Sequence, residues 1–108
     1  MMAVNAVDWN QLAPFEPYPG MRGRRFDTAH ATVIRYELDP GASHPIHSHA
    51  EEQLVHIIDG EIDFTVGGRV LRLGAGQMVH VPAHVPHGAT GAGQRPAVFL
   101  NIVMPPRS

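Results

Sequence analysis

Three histidines are placed along the chain in a pattern typical of a single metal ion. His47 and His49 are two residues apart, and His87 follows much later in the sequence. On a β-strand alternate side chains share a face, so the first two imidazoles are predicted to point the same way. Neutral imidazole is a common protein ligand for zinc, iron, nickel and copper. Together with His87 from a distant strand, they would occupy one side of the metal ion and leave its other coordination positions open to water or substrate.

Gln53 offers a fourth ligand beside this set. It opens an apolar run with Val55 and Ile57 at alternate positions, which places the amide at the mouth of an otherwise buried face. The alternative is that the amide only hydrogen-bonds one of the histidine ligands. The remaining histidines are expected to be surface or hydrogen-bonded core residues, namely His30, His44, His56, His80 and His84.

Short apolar segments of strand length must position these side chains. They cover residues 31–38, 53–58, 61–66, 69–73, 78–81 and 97–103. Asp-Gly at 59–60 and Gly-Gly at 67–68 tolerate positive φ and predict hairpins. Eleven glycines and ten prolines are too many for a helical bundle. The prediction is an all-β fold of antiparallel strands in a small sandwich or barrel. Residues 1–20 form an N-terminal arm, and residues 21–108 form a single domain.

Composition excludes several classes of function. Eight Lys and Arg against ten Asp and Glu give a net charge of -2, so no basic field exists to hold nucleic acid or an anionic membrane. The absence of cysteine excludes disulfides, thiolate zinc sites and a cysteine nucleophile. Apolar segments are much shorter than the roughly 20 residues of a membrane span. We expect a cytoplasmic protein with a small-molecule substrate and no nucleic-acid or membrane partner.

The divided signature resembles the two motifs of the cupin family. Residues 41–60 read G-x5-H-x-H-x3-Q-x6-G and resemble the first motif, and residues 76–87 read G-x5-P-x4-H and resemble the second. The strand and turn pattern is similar from residue 30 to residue 103. This resemblance implies a cupin-type jelly-roll β-barrel, commonly a dimer, with a metal held inside by the motif histidines. A homodimer is therefore expected.

Three residues depart from the usual cupin pattern. Gln53 replaces the usual Glu, His84 stands at a usual Gly, and Gly91 stands where Asn is frequent. The last two concern a turn and a peripheral position, so they do not threaten the fold. The first changes the charge at a divalent metal (Mn, Fe, Ni or Zn) from about +1 to about +2, which makes it a stronger Lewis acid. It also stabilises an oxidised metal less.

Small cupins with H-x-H-x3-Q open unsaturated uronate rings, split or form hydroxynitriles, or cyclise polyketides. The closing residues resemble the uronate group, which has Asp and Phe where this chain has Asn101 and Val103, whereas Arg107 matches. An amide cannot shuttle a proton as a carboxylate can, which disfavours uronate opening. Arg107 is one candidate catalytic residue. Arg35 and Tyr36 are two more, on a strand expected to flank the pocket, although strand parity leaves open which of them faces it.

Three functions follow from these residues. The leading one is a metal-dependent isomerase, lyase or cyclase acting on a small oxygen-bearing substrate, either sugar-acid or polyketide-like. The second is a ferrous-iron dioxygenase with the same ligands. The third is a non-catalytic small-molecule-binding or sensor module. Gln53 favours the first, because a neutral ligand suits Lewis-acid chemistry better than oxygen chemistry.

Overall fold

A computed structural model describes residues 6–105 as an almost entirely β structure. Besides one 3-10 turn, Trp9–Gln11, it contains ten strands. They are β1 Phe15–Tyr18, β2 Met21–Asp27, β3 Thr32–Leu38, β4 Ser43–His47, β5 Glu52–Asp59, β6 Glu61–Val66, β7 Arg69–Gly74, β8 Met78–Val81, β9 His87–Ala92 and β10 Ala97–Met104. Within residues 6–105, no helix is long and apolar enough to cross a membrane.

The strands form two sheets. One has six strands in the order β1-β2-β3-β10-β5-β8, and the other has four in the order β4-β9-β6-β7. Neighbouring strands are antiparallel in both sheets. The predicted all-β fold of antiparallel strands is therefore confirmed.

The core lies between the inner faces of the two sheets. Strand β3 buries every second residue from Thr32 to Leu38, and β5 does the same from Gln53 to Ile57. This alternation follows from the two-residue period of a strand, which turns successive side chains to opposite faces. The largest fully buried side chains are Met21, Leu38, Ile57, Ile62, Val55, Val81, Val103 and Thr32.

Only one of the two predicted hairpins forms. Gly67 and Gly68, with φ of 54° and 80°, join β6 to β7 in the left-handed region that a tight hairpin requires. The hairpin prediction for Asp59-Gly60 is wrong, because β5 pairs with β8 and β10 and not with β6. Because β5 belongs to the six-stranded sheet and β6 to the four-stranded sheet, the chain crosses between the sheets at this turn. Ile57 and Ile62, on either side of the turn, both pack in the core.

Part of the predicted N-terminal arm belongs to the six-stranded sheet. Phe15–Tyr18 forms β1 and pairs with β2 of the same chain. The Phe15 ring lies 5.9 Å from the Tyr36 ring in an edge-on contact. Both rings close over Gly23, where a Cβ would lie 2.7 Å from each of them. Arg24 donates from Nη1 to the backbone carbonyls of residues 9, 10 and 12. The homodimer stays a prediction.

Candidate metal centre

The three imidazoles predicted from the spacing lie together at one end of the barrel. His47 ends β4, His87 begins β9, and the two are register partners. Ring centroids are 4.4 Å apart for His47 and His87, 5.4 Å for His47 and His49, and 4.8 Å for His49 and His87. One nitrogen of each ring lies within 4.8 Å of the others, close enough to hold one metal ion.

His49 reaches this cluster from a loop. The expectation that His47 and His49 share a strand face is wrong, since β4 ends at His47. The backbone N–H of His84 donates to the His49 carbonyl at 2.7 Å, and this contact fixes the loop. His84 adopts a left-handed φ of 68°, which explains why glycine is usual at this position of the resembling motif.

Backbone carbonyls orient all three rings. Nδ1 of His47 lies 3.1 Å from the Pro45 carbonyl oxygen. Nδ1 of His49 lies 2.9 Å from the carbonyl of residue 51, and Nδ1 of His87 lies 2.8 Å from that of residue 85. A carbonyl only accepts, so each Nδ1 must carry the proton. In a neutral imidazole the Nε2 lone pair is then the one that ligates a metal.

Gln53 faces the same cluster from the opposite sheet. Its side chain is 4 % exposed and points inward with Val55 and Ile57, as the alternation predicts. Its Oε1 lies 3.1 Å from Nε2 of His49. His47 and His87 belong to the four-stranded sheet and Gln53 to the six-stranded sheet, so the site spans the sandwich.

Burial keeps His47 neutral. Desolvation lowers the pKa of His47 from 6.5 to about 4, against the opposing effect of the Pro45 carbonyl, and the nearby His44, His87 and His49 lower it further. Because a metal competes with protons for the same nitrogen, a neutral imidazole binds the ion without first losing a proton.

His44 is a neighbour of the cluster that its sequence position does not reveal. Its ring lies 4.3 Å from the His47 ring and 5.0 Å from the Tyr18 ring. Residues three apart on a regular strand point to opposite faces. Here the register of β4 against β9 shifts between His44 and His47, and a bulge brings both side chains to the same cavity. Pro45 lies at this shift, and a proline inside a strand is a sign of an edge strand or a bulge, but it does not say which side chains the bulge brings together.

A cavity opens beside the imidazoles, with about 440 Å³ of empty space within it and in the solvent at its mouth together. Its lining is mainly apolar and aromatic: Met21, Ile34, Tyr36, His44, His47, Gln53, Phe64, His87, Gly88, Ala89, Phe99, Asn101 and Val103. This combination of apolar walls and a few polar groups is typical of a small-molecule site.

Of the three candidate catalytic residues, one lines this cavity. Tyr36 is 6 % exposed and faces it. Arg35 lies on the opposite face of β3, where Nη1 is 3.2 Å from Glu37 Oε1, so the fold does not bring it to the imidazoles. Arg107 lies outside the described residues.

The sequence model of the Cupin domain matches residues 34–103, which is more than half of the chain. The chain belongs to the cupin family. Among curated proteins, none matches this cupin. Solved structures do match the chain, and their similarity to it confirms the cupin-type jelly roll.

Three of these structures cover nearly the whole cupin. An RmlC-like cupin from Shewanella frigidimarina is 22% identical, with a TM-score of 0.88 over 98% of this chain and 95% of its own. KdgF from Halomonas sp. is 19% identical, with a TM-score of 0.90 over 98% and 97%. The polyketide cyclase RemF from Streptomyces resistomycificus is 19% identical, with a TM-score of 0.82 over 94% and 80%. At these identities the likeness shows the fold alone.

Proposed function

We propose that this cupin is a metal-dependent enzyme in which His47, His49, Gln53 and His87 hold one divalent ion, either Mn, Fe, Ni or Zn. The convergence of three imidazoles carries this proposal, because one nitrogen of each ring lies within 4.8 Å of the others. Gln53 Oε1 lies 3.1 Å from Nε2 of His49, which supports the amide as the fourth ligand.

The donor set favours isomerase, lyase or cyclase chemistry on a small oxygen-bearing substrate. A divalent ion held only by neutral ligands keeps a charge of about +2 and supplies Lewis acidity to a substrate oxygen. Phe64 and Phe99 give the cavity apolar walls, and Tyr36 lies where it can contact the substrate. One protein of this fold is a polyketide cyclase, so the barrel accommodates cyclase chemistry.

The metal content of the purified protein tests the premise. We expect about one ion per chain by elemental mass spectrometry, and less than a tenth of that in His47→Ala and His87→Ala. His56→Ala is the matched control, because His56 lies on the outer face of β5 and should keep the ion. Circular dichroism verifies that each variant is folded. Full metal retention by both site variants would contradict the proposal.

Two other functions give different results at the same site. A ferrous-iron dioxygenase would consume oxygen in step with its substrate, so stoichiometric oxygen uptake by the iron-loaded protein would replace the proposed chemistry. A binding or sensor module would hold its ligand without turnover in any metal form.

A further inference from the structure

We infer that the cavity beside the imidazoles takes a neutral, flat, aromatic or conjugated molecule with a hydrogen-bond donor, in preference to a sugar acid. This inference rests on the proposed function, because it names the substrate class for that site. Three features of the lining carry it: its lack of fixed positive charge, its aromatic walls, and one buried amide oxygen.

The described lining contains no Lys or Arg. The four arginines of β2 and β3 have partners elsewhere. Arg22 pairs with Asp39 and Arg25 with Asp27, Arg24 donates to backbone carbonyls, and Arg35 pairs with Glu37 of its own strand. A bound ion could take a substrate carboxylate, but the hydroxyls of a sugar would then face mostly apolar side chains. A buried hydroxyl without a partner costs binding free energy, so a polyhydroxylated ligand is disfavoured.

Aromatic side chains form the walls on both sides. The Tyr36 and Phe99 rings lie 5.6 Å apart, and the Phe64 ring lies 6.2 Å from that of His87 at an interplanar angle of 30°. Phe15 packs edge-on against Tyr36 and extends this wall outward along β1. Such walls suit a flat ring, because aromatic pairs gain from stacked and edge-on contacts beyond the area they bury.

Asn101 supplies the polar contact. It faces inward on β10 between Ile34 and Val55 of the adjacent strands, and it lines the cavity. Its Oδ1 is buried and accepts no hydrogen bond from any residue in the described range 6–105. A buried carbonyl oxygen without a donor destabilises a fold, so a ligand O–H or N–H is the partner that explains it. An amide accepts this hydrogen bond without taking up a proton.

Binding of four small probes tests the inference by calorimetry, with metal-loaded and with metal-free protein. The probe 4′-hydroxyacetophenone is a neutral ring with a carbonyl and an O–H, and 4-hydroxybenzoate is its carboxylate counterpart. Acetophenone lacks the O–H, and galacturonate is a sugar acid. For the metal-free protein we expect 4′-hydroxyacetophenone to bind at least about tenfold tighter than either anion and about fivefold tighter than acetophenone. The metal-free arm separates the two proposals, since the ring preference needs no ion.

Asn101→Leu removes the amide and keeps its approximate size. We expect it to weaken 4′-hydroxyacetophenone about fivefold, to the affinity of acetophenone, and to leave acetophenone within about twofold. The melting temperature should not fall, because the substitution removes an unpaired buried oxygen; a structural role for the amide would lower it.

Several results would overturn the inference. Equal or tighter binding of 4-hydroxybenzoate or galacturonate to the metal-free protein would do so, as would the failure of both neutral rings to bind at millimolar concentration. Unchanged affinity in Asn101→Leu would remove the role of the amide. A wild-type preference for 4-hydroxybenzoate that disappears in Arg107→Ala would also overturn it and trace a cation to Arg107.

Discussion

Replacing Gln53 with glutamate tests whether the amide contacts the ion, because the change preserves shape and adds one charge. Gln53 is 4 % exposed and its Oε1 lies 3.1 Å from Nε2 of His49, so the new carboxylate must be neutralised inside the protein. Without metal, protonating an ordinary glutamate at pH 7 costs about 3.7 kcal/mol, whereas protonating an ordinary imidazole costs about 0.7 kcal/mol. Protonation of a neighbouring imidazole costs less, so it sets the expected loss in the free energy of unfolding.

The free energy of unfolding of metal-free Gln53→Glu should therefore be about 1 kcal/mol lower than that of the wild type, which lowers the melting temperature by about 4–8 °C. The loss should grow as pH rises above 7, because the folded state has taken up a proton that is harder to obtain there. With metal the sign reverses. A carboxylate facing the ion should tighten its binding at least about tenfold, or about 1.4 kcal/mol. The metal-induced rise in melting temperature should thus be larger in the variant than in the wild type.

Thermal unfolding at pH 7, with chelator and then with saturating zinc or manganese, measures both effects. Gln53→Met is the matched control, because it keeps the volume and removes the ligand oxygen, and its metal-induced rise should be smaller than that of the wild type. Equal metal-induced rises in all three proteins would refute the argument and show that the amide does not face the ion.

Two predictions concern stability. Gly91→Ala would place Cβ 2.1 Å from the Asp39 carbonyl oxygen, so it should cost about 3 kcal/mol or more in urea unfolding. Gly74→Ala meets nothing closer than 3.9 Å and should cost less than about 1 kcal/mol; equal losses would contradict this reading. The pKa of His47 falls from 6.5 to about 4 on folding, so the unfolded chain binds its proton first as pH drops. Metal-free protein should therefore lose stability from pH 6.5 down to about pH 4, by about 1–2 kcal/mol for a partly solvated ring, and His47→Gln should lose measurably less.

The apolar segments of the sequence predicted six of the ten described strands and did not include β1, β2, β4 or β9. Strand β9 reads His-Gly-Ala-Thr-Gly-Ala, yet it lies in the interior of the four-stranded sheet. A Cβ at Gly88 would lie 2.9 Å from the His44 carbonyl, and one at Gly91 still closer to that of Asp39. Tertiary contact thus demands small residues where propensity favours large ones. The expectation that Gly91 is peripheral is wrong for the same reason, since it is buried against a neighbouring backbone.

Motif spacing was enough to bring His47, His49 and His87 together, because two strands and one loop bring them to the same end of the barrel. Strand parity alone could not choose between Arg35 and Tyr36, since either face of β3 was compatible with the pattern. Burial decides it, because the tyrosine packs into the core and the arginine stays outside. The proximity of His44 depends on a bulge, which only the paired strands reveal.

The proposed metal ligands come from both sheets, and this has a consequence for a chain without cysteine. His47 and His87 stand on one layer and Gln53 on the other, so a bound ion would staple the two layers as a disulfide does in secreted domains. Unlike a disulfide, this cross-link is lost whenever the ion dissociates. The stability of the folded chain in a cell would then depend on the concentration of free metal, and a shortage of metal would increase degradation of the protein as well as stop its activity.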